Sequence, residues 1–276
     1  MVLSYSRFSR RRGGKLIGQS ILEWRQGLLP RMIDRALMRP AQEVRANTFR
    51  KAWGSSSRPV LLLCDDSKEY VVKGSQAGRV IFNDHVVAWL GSVLGAPTGV
   101  PRVVGVPAAL IALEPQMQHV AAGLAHATLW EPDCTDAQPL QHTAVPENRP
   151  RFAALAVLYG WVRAGDNQFI YKTTAPNLVI SVDHGHFFPA GPGWTVASLV
   201  GAPAPQLDPT IGATCNFTPE ELASVRERLR NISDAHIAAI VGRPPASWNV
   251  SRDERIALAD YLVTRRDHLI HTLPVP

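Results

Sequence analysis

Residues 158–188 read L-Y-G-W-V-R-A-G-D-N-Q-F-I-Y-K-T-T-A-P-N-L-V-I-S-V-D-H-G-H-F-F. An apolar helical run from Arg151 to Arg163 stops at Ala164-Gly165, and Asp166 follows. Two short β-rich runs, Gln168–Tyr171 and Leu178–Val182, flank a turn at Thr173–Asn177, which predicts a hairpin. Asp183 closes the second run and is followed by His184 and Gly185. The hairpin would therefore set Asp166 and Asp183 at its open end. A carboxylate at a strand end beside a flexible glycine suits a metal ligand. A carboxylate between a helix end and a strand start suits orienting or deprotonating an attacking hydroxyl, and the amide oxygen of Gln168 suits a magnesium ion.

The upstream chain predicts a small β-rich half. Residues 41–53 alternate weakly as a strand and end in Gly54-Ser55-Ser56-Ser57. Pro59–Cys64 and Glu69–Lys73 form a second hairpin across the turn Asp65–Lys68. After Gly74–Gly78, the apolar positions Val86, Val87, Leu90 and Leu94 predict a helix over Ile81–Leu94, stopped by Gly95-Ala96-Pro97. Arg102–Val106 and Ala109–Leu113 read as two further strands. Residues 119–150 show no clear period.

Downstream, residues 187–217 read as irregular, and the rest is helical. Thr218 is an N-cap, Pro219 takes the first helical position, and Glu220 and Glu221 fall in the first turn. Ser233–Val241 and Ser251–His271 predict the last two helices. The expected class is α+β. Residues 1–40 form a basic leader, disordered or helical around Ile17–Leu37, and 41–118 a β-rich N-lobe with one helix. Residues 119–150 form a connection and 151–276 a mostly helical C-lobe. A cleft between two such lobes is a natural ligand site.

Charge is uneven along the chain. The net +6 divides into +9 over residues 1–53, which hold 12 Lys/Arg and 3 acids, and −3 over the remainder. The run Arg10-Arg11-Arg12 could touch nucleic acid or anionic lipid, but the body carries no basic face with interleaved aromatics, so nucleic acid is not an expected partner beyond this leader. Cys64, Cys134 and Cys215 form no CxxC pair, which argues against a disulfide framework or a cysteine zinc site and fits a reducing cytoplasm. The most apolar internal stretch, Val103–Leu113, is 11 residues and contains Pro107, too short to cross a bilayer, so no membrane association is expected.

Lys73 ends the strand V-V-K, one hairpin after the Gly54-Ser55-Ser56 loop, as a phosphate-binding lysine would. Such a lysine needs an acidic partner on the next helix, and Asp84 is the candidate.

Four stretches together resemble the HipA-like kinases, a branch of the protein-kinase-like fold: R-P-V-L-L-L-C-D-D-S-K-E-Y-V-V-K-G, N-D-H-V-V-A-W-L-G-S-V-L-G-A-P, L-Y-G-W-V-R-A-G-D-N-Q-F-I-Y and N-L-V-I-S-V-D-H-G-H-F-F-P. The resemblance is to the short members that lack an extra N-terminal domain, and it runs from about residue 44 to 270. It implies a bilobal fold and an ATP- and Mg2+-dependent phosphotransferase with a protein Ser/Thr hydroxyl as acceptor. Lys73 would contact ATP phosphates and Asp84 would pair with it. Asp166 would be the catalytic-loop aspartate, and Asp183 the metal-binding aspartate of a DFG-like triplet with His184 in place of phenylalanine. Gln168 would replace the family's metal-binding asparagine in a shortened loop, and Gly54, Ser55 and Ser56 would cover the phosphates. Two alternatives stay open: a nucleotide-binding pseudokinase, and a metal-dependent hydrolase using Asp183, His184 and His186, with His126 able to join them.

Overall fold

A computed structural model describes residues 27–38, 43–55 and 57–274. Helix α1 (Leu29–Leu37) precedes strand β1 (Glu43–Ala52), which leads to β2 (Val60–Cys64) and β3 (Glu69–Lys73). Gly78 sits at φ +61°, a conformation that favours glycine, and lets the chain turn from β3 into helix α2 (Arg79–Leu94) within a few residues. Strand β4 (Pro101–Val106), helix α3 (Ala108–Leu113) and strand β5 (Gly123–Leu129) complete the strand-rich half. The helical half contains α4 (Arg149–Val162), the hairpin β6 (Gln168–Tyr171) and β7 (Val179–Val182), α5 (Val196–Val200), α6 (Pro209–Cys215), α7 (Pro219–Arg230), α8 (Asp234–Gly242) and α9 (Arg252–Thr272). This is the α+β, bilobal kinase-like arrangement that the sequence predicts.

The five strands close into a barrel in the order β1-β2-β3-β5-β4. One strand must serve two partners to close it. The first residues of β1 pair parallel with β4, and the later ones pair antiparallel with β2 across two register irregularities, which bend the strand between its neighbours. Val60, Leu62, Tyr70, Val72, Val104, Ala125 and Ala127 fill the barrel as one apolar cluster.

Two expectations for this half need correction. Ala109–Leu113 is helical, not a strand, because A-A-L-I-A-L after Pro107 is built from strong helix formers. The strand that completes the sheet is β5, inside the stretch 119–150 that shows no period. Its sequence G-L-A-H-A-T-L is poor in β-branched and aromatic residues, and it is a strand because β3 and β4 hydrogen-bond to it on both sides.

Helix α2 packs into the core of the helical half while also meeting β4 and β5 of the barrel. Ile81, Phe82, Val86, Val87, Leu90 and Leu94 pack in one cluster with α4 residues Phe152–Val162 and with α7, α8 and α9. A helix buried nearly all round shows little amphipathic period, and here even Asn83, Asp84 and His85 are buried. Helix α1 docks on the same cluster. Leu29 and Ile33 are fully buried, a Cβ on Gly242 of α8 would collide with Ala36, and Asp34 pairs with Arg252 of α9. A cut at residue 31 would therefore remove part of a packed helix. The basic run Arg10–Arg12 lies outside the described residues.

Stretch 187–217, read as irregular, holds the short helices α5 and α6, each begun by a side-chain cap from Thr195 or Asp208. The Thr218 cap of α7 forms as expected, with Glu221 completing a capping box. Arg265 of α9 donates to the carbonyls of Trp161 (2.6 Å), Gly160 (2.7 Å) and Pro203 (2.7 Å). It thus satisfies otherwise open acceptors at the end of α4, the helix that leads into Asp166. No helix among the described residues is long and apolar enough to cross a membrane. The three cysteines are free thiols, and burial pushes Cys64 up to about 12 and Cys215 up to about 11.

Candidate active site

Lys73 is the last residue of β3 and is buried, with its ammonium between two carboxylates. Nζ lies 2.9 Å from Asp84 Oδ2 on α2 and 2.5 Å from Asp183 Oδ1 just after β7. Asp84 is almost fully enclosed, whereas the Asp183 side chain keeps 28% of its exposure and opens to solvent. Burial alone would push the Lys73 ammonium down, but Asp84 and Asp183 outweigh it and hold it above the ordinary lysine value. Burial likewise opposes the Asp84 charge, yet Lys73 and then His126 hold it well below the usual carboxylate range. The pair expected from the sequence is therefore formed, and an aspartate is long enough to make it.

Asp84 does more than meet Lys73. Its Oδ1 accepts from the His184 backbone N–H (3.0 Å) and lies 3.2 Å from His184 Nδ1, and its Oδ2 lies 3.3 Å from His126 Nε2. The adjacent Asn83 donates to the carbonyls of Gly185 (2.9 Å) and Phe187 (3.2 Å) and accepts from Trp194 Nε1. Two consecutive residues of α2 thus grip the segment that follows Asp183. His184 carries this latch, and the sequence signal for it was the D-H-G triplet itself, in which a ring able to hydrogen-bond stands where the family pattern has an apolar one.

The β6–β7 hairpin pairs Gln168 with Val182, so Asp166 and Asp183 both lie at its open end. Asp166 is exposed, and Gln168 Nε2 donates to its Oδ2 at 3.1 Å. A Cβ on Gly165 would collide with the His186 carbonyl, so the loop carrying Asp166 and the loop after Asp183 touch backbone to backbone. Between Asp166 and Gln168 stands Asn167, whose Oδ1 is buried without a hydrogen-bond partner among the described residues. A buried amide oxygen left open, one residue after Asp166, fits a hard cation's demand for oxygen ligands. Asn167 is the residue that the sequence reading passed over, in favour of its neighbour Gln168.

At the other wall, Ala52 pairs with Val60 and Val60 with Val72, so the β1–β2 turn lies at the Lys73 end of the barrel. Gly54 and Ser55 are exposed in that turn, which is closed by the Arg58 N–H on the Ser55 carbonyl, and Ser56 lies outside the described residues. The hydrolase constellation does not assemble. His184 turns inward to Asp84 and Ser181, His186 is exposed, and His126 faces Asp84 from β5. Among the described residues no three His, Cys, Asp or Glu side chains converge to hold a metal ion.

Solved structures similar to this chain include kinases. The Helicobacter pylori proinflammatory kinase CtkA aligns at a TM-score of 0.53 with 10% identity, over 84% of this chain and 97% of that one. The Golgi casein kinase aligns at 0.43 with 10% identity, over 88% and 76%. Its complex with Mn/ADP aligns at 0.44 with 12% identity, over 88% and 75%. No curated protein matches the chain in sequence. A family model described as HipA-like kinase matches residues 46–188, just over half of the chain and the span from β1 through the segment after Asp183. The protein belongs to the HipA-like kinase family.

Proposed function

We propose that this protein is an ATP- and Mg2+-dependent phosphotransferase whose acceptor is a Ser or Thr hydroxyl of a protein. The observation that carries the reading is the ammonium of Lys73 held between enclosed Asp84 and half-open Asp183, at the end of a hairpin that also presents Asp166. Bound Mg2+–ATP would supply the transferable phosphoryl group, and phosphoryl transfer asks of a protein mainly positioning and charge neutralisation. Lys73 would hold phosphate oxygens while Asp84 keeps it charged and aimed. Asp183 would hold the metal together with an amide oxygen, from Asn167, whose Oδ1 is open, or from Gln168. Asp166, exposed at the cleft edge, would accept the proton of the acceptor hydroxyl. The turn at Gly54, Ser55 and Ser56 would lie over the phosphates.

The test is calorimetry of ATP binding, with and without Mg2+, on the wild type and on Asp183→Ala. Binding that requires Mg2+ and disappears in the variant supports the reading, and absence of binding in the wild type refutes it. A pseudokinase is the second reading, favoured by the single residue that separates Asp166 from Gln168. Labelled phosphate entering a protein acceptor, and lost in Asp166→Asn while ATP still binds, excludes it.

A further inference from the structure

We propose that His126 and His184 are positioning residues that fix the Asp84 carboxylate through two uncharged hydrogen-bond arms. One arm runs back through His85 to Trp89, and the other through Ser181 to Tyr159. Proton positions in the first arm follow from its outer end. An indole N–H can only donate. Trp89 Nε1 lies 3.2 Å from His85 Nε2, so that nitrogen accepts and the His85 proton sits on Nδ1. Nδ1 lies 3.2 Å from His126 Nδ1, which must then accept. The His126 proton is left on Nε2, facing Asp84 Oδ2 at 3.3 Å, with Thr128 Oγ1 3.4 Å from the same nitrogen. Burial, and after it the nearby Arg243 charge, hold His85 well below the ordinary histidine value, in keeping with an uncharged ring.

The second arm is read from the carboxylate outward. An ionised carboxylate only accepts, so His184 Nδ1, 3.2 Å from Oδ1, carries a proton. His184 Nε2 then accepts from Ser181 Oγ at 2.7 Å, and Ser181 accepts from Tyr159 OH at 2.6 Å. Reversing this arm would leave the buried Tyr159 O–H without an acceptor among the described residues. In both arms every N–H and O–H runs toward Asp84. Trp248, from the helical half, stands edge-on to the His85 and His126 rings (centroids 5.3 Å and 6.4 Å) and donates to the Leu124 carbonyl, which seals the first arm from water.

The purpose rests on the proposed phosphotransfer site. Lys73 is shared by Asp84 and Asp183, and both Lys73 and Asp183 are the residues that would hold nucleotide phosphate and metal. Asp84 keeps its remaining lone pairs on the two arms. The histidines touch neither substrate nor metal and act through Asp84.

The test begins without nucleotide. Long-range 1H–15N spectra of the 15N-labelled protein at about pH 8 read the ring tautomers, assigned with His126→Gln and His184→Asn. The expected pattern is Nδ1–H for His85 and His184 and Nε2–H for His126. Free imidazoles favour Nε2–H, so two Nδ1–H rings report the hydrogen-bond directions given above. Nε2–H at either His85 or His184 overturns the proposal. Affinity for ATP with Mg2+ then separates positioning from structure. His126→Leu should weaken binding by roughly tenfold, and His126→Gln, which keeps an amide donor toward Asp84, should recover it to within about threefold. A folded His126→Leu protein that binds like wild type also overturns it. If the wild type binds no ATP, the phosphotransfer reading fails, while the tautomer pattern still decides the arms.

Discussion

Replacing Asp84 by asparagine tests the centre of the site with one atom exchanged. The amide oxygen can still accept from His184, but the new NH2 would face the Lys73 ammonium and the His126 N–H, both donors. Lys73 and Asp84 side chains keep 6% and 3% of their exposure, so the cation would remain buried with only the half-open Asp183 opposite it. Breaking a buried pair from one side costs about 3–5 kcal/mol, and the residual Asp183 contact points to the lower end. About 3 kcal/mol, at about 2–4 °C per kcal/mol for a chain of roughly this size, lowers Tm by about 6–12 °C. Differential scanning calorimetry at neutral pH measures it, with the exposed Glu227→Gln as a control.

The pH dependence supplies a sign. Asp84 is depressed in the folded state, so its contribution is complete above the unfolded carboxylate value of about 3.9 and fades as pH falls through the folded value. Lys73 is raised, so its contribution is complete below the ordinary lysine value of about 10.4 and fades only as pH climbs through the folded one. The difference between wild type and Asp84→Asn should therefore be flat across neutral pH and shrink in acid below about pH 4. A Tm shift no larger than that of the control, or a difference that grows in acid, would show that Asp84 does not carry the buried charge balance.

Two other substitutions probe how the site is held. Gly165→Ala should push the Asp166 loop away from His186 and weaken Mg2+-dependent ATP binding more than it lowers Tm, measured by calorimetry and thermal melting on the same samples. Equal ATP affinity in a folded variant would show that the loop contact does not position the site. Arg265→Lys should cost about 1–3 kcal/mol in urea unfolding, because a single ammonium cannot span the carbonyls of Gly160, Trp161 and Pro203 that the planar fork meets. An unchanged urea midpoint would remove the end of α4 as a fixed support for Asp166.

Much of the machinery was legible because its signals are local. The Asp166–Asp183 hairpin follows from two β-rich runs and one turn, Lys73 from the end of a β-run, and the start of α7 from T-P-E-E, where a cap, a proline and two acids act within one turn. Pairing in β5 was not legible. Its alanines, histidine and threonine carry little strand preference, and it is a strand because β3 and β4 offer their open backbone groups on either side. Ala109–Leu113 erred the opposite way, since an apolar run of that length suits a strand or a helix equally until the rest of the sheet is in place.

The residue order alone fixes the sequence of chemistry-bearing side chains and the short elements that present them: a strand-end lysine, a helix-borne acid, and two carboxylates at the mouth of one hairpin. Their surroundings come from the way distant segments pack. Lys73 and Asp183 are 110 positions apart, and His184 and Asp84 are 100 apart. Nothing in the neighbours of Asp84 announces that two histidine arms converge on it, that Asn167 keeps an open buried oxygen, or that α2 packs with the helical half. Periodicity reports only contacts a few residues away, whereas burial and hydrogen-bond partners depend on which distant surfaces meet when the chain closes.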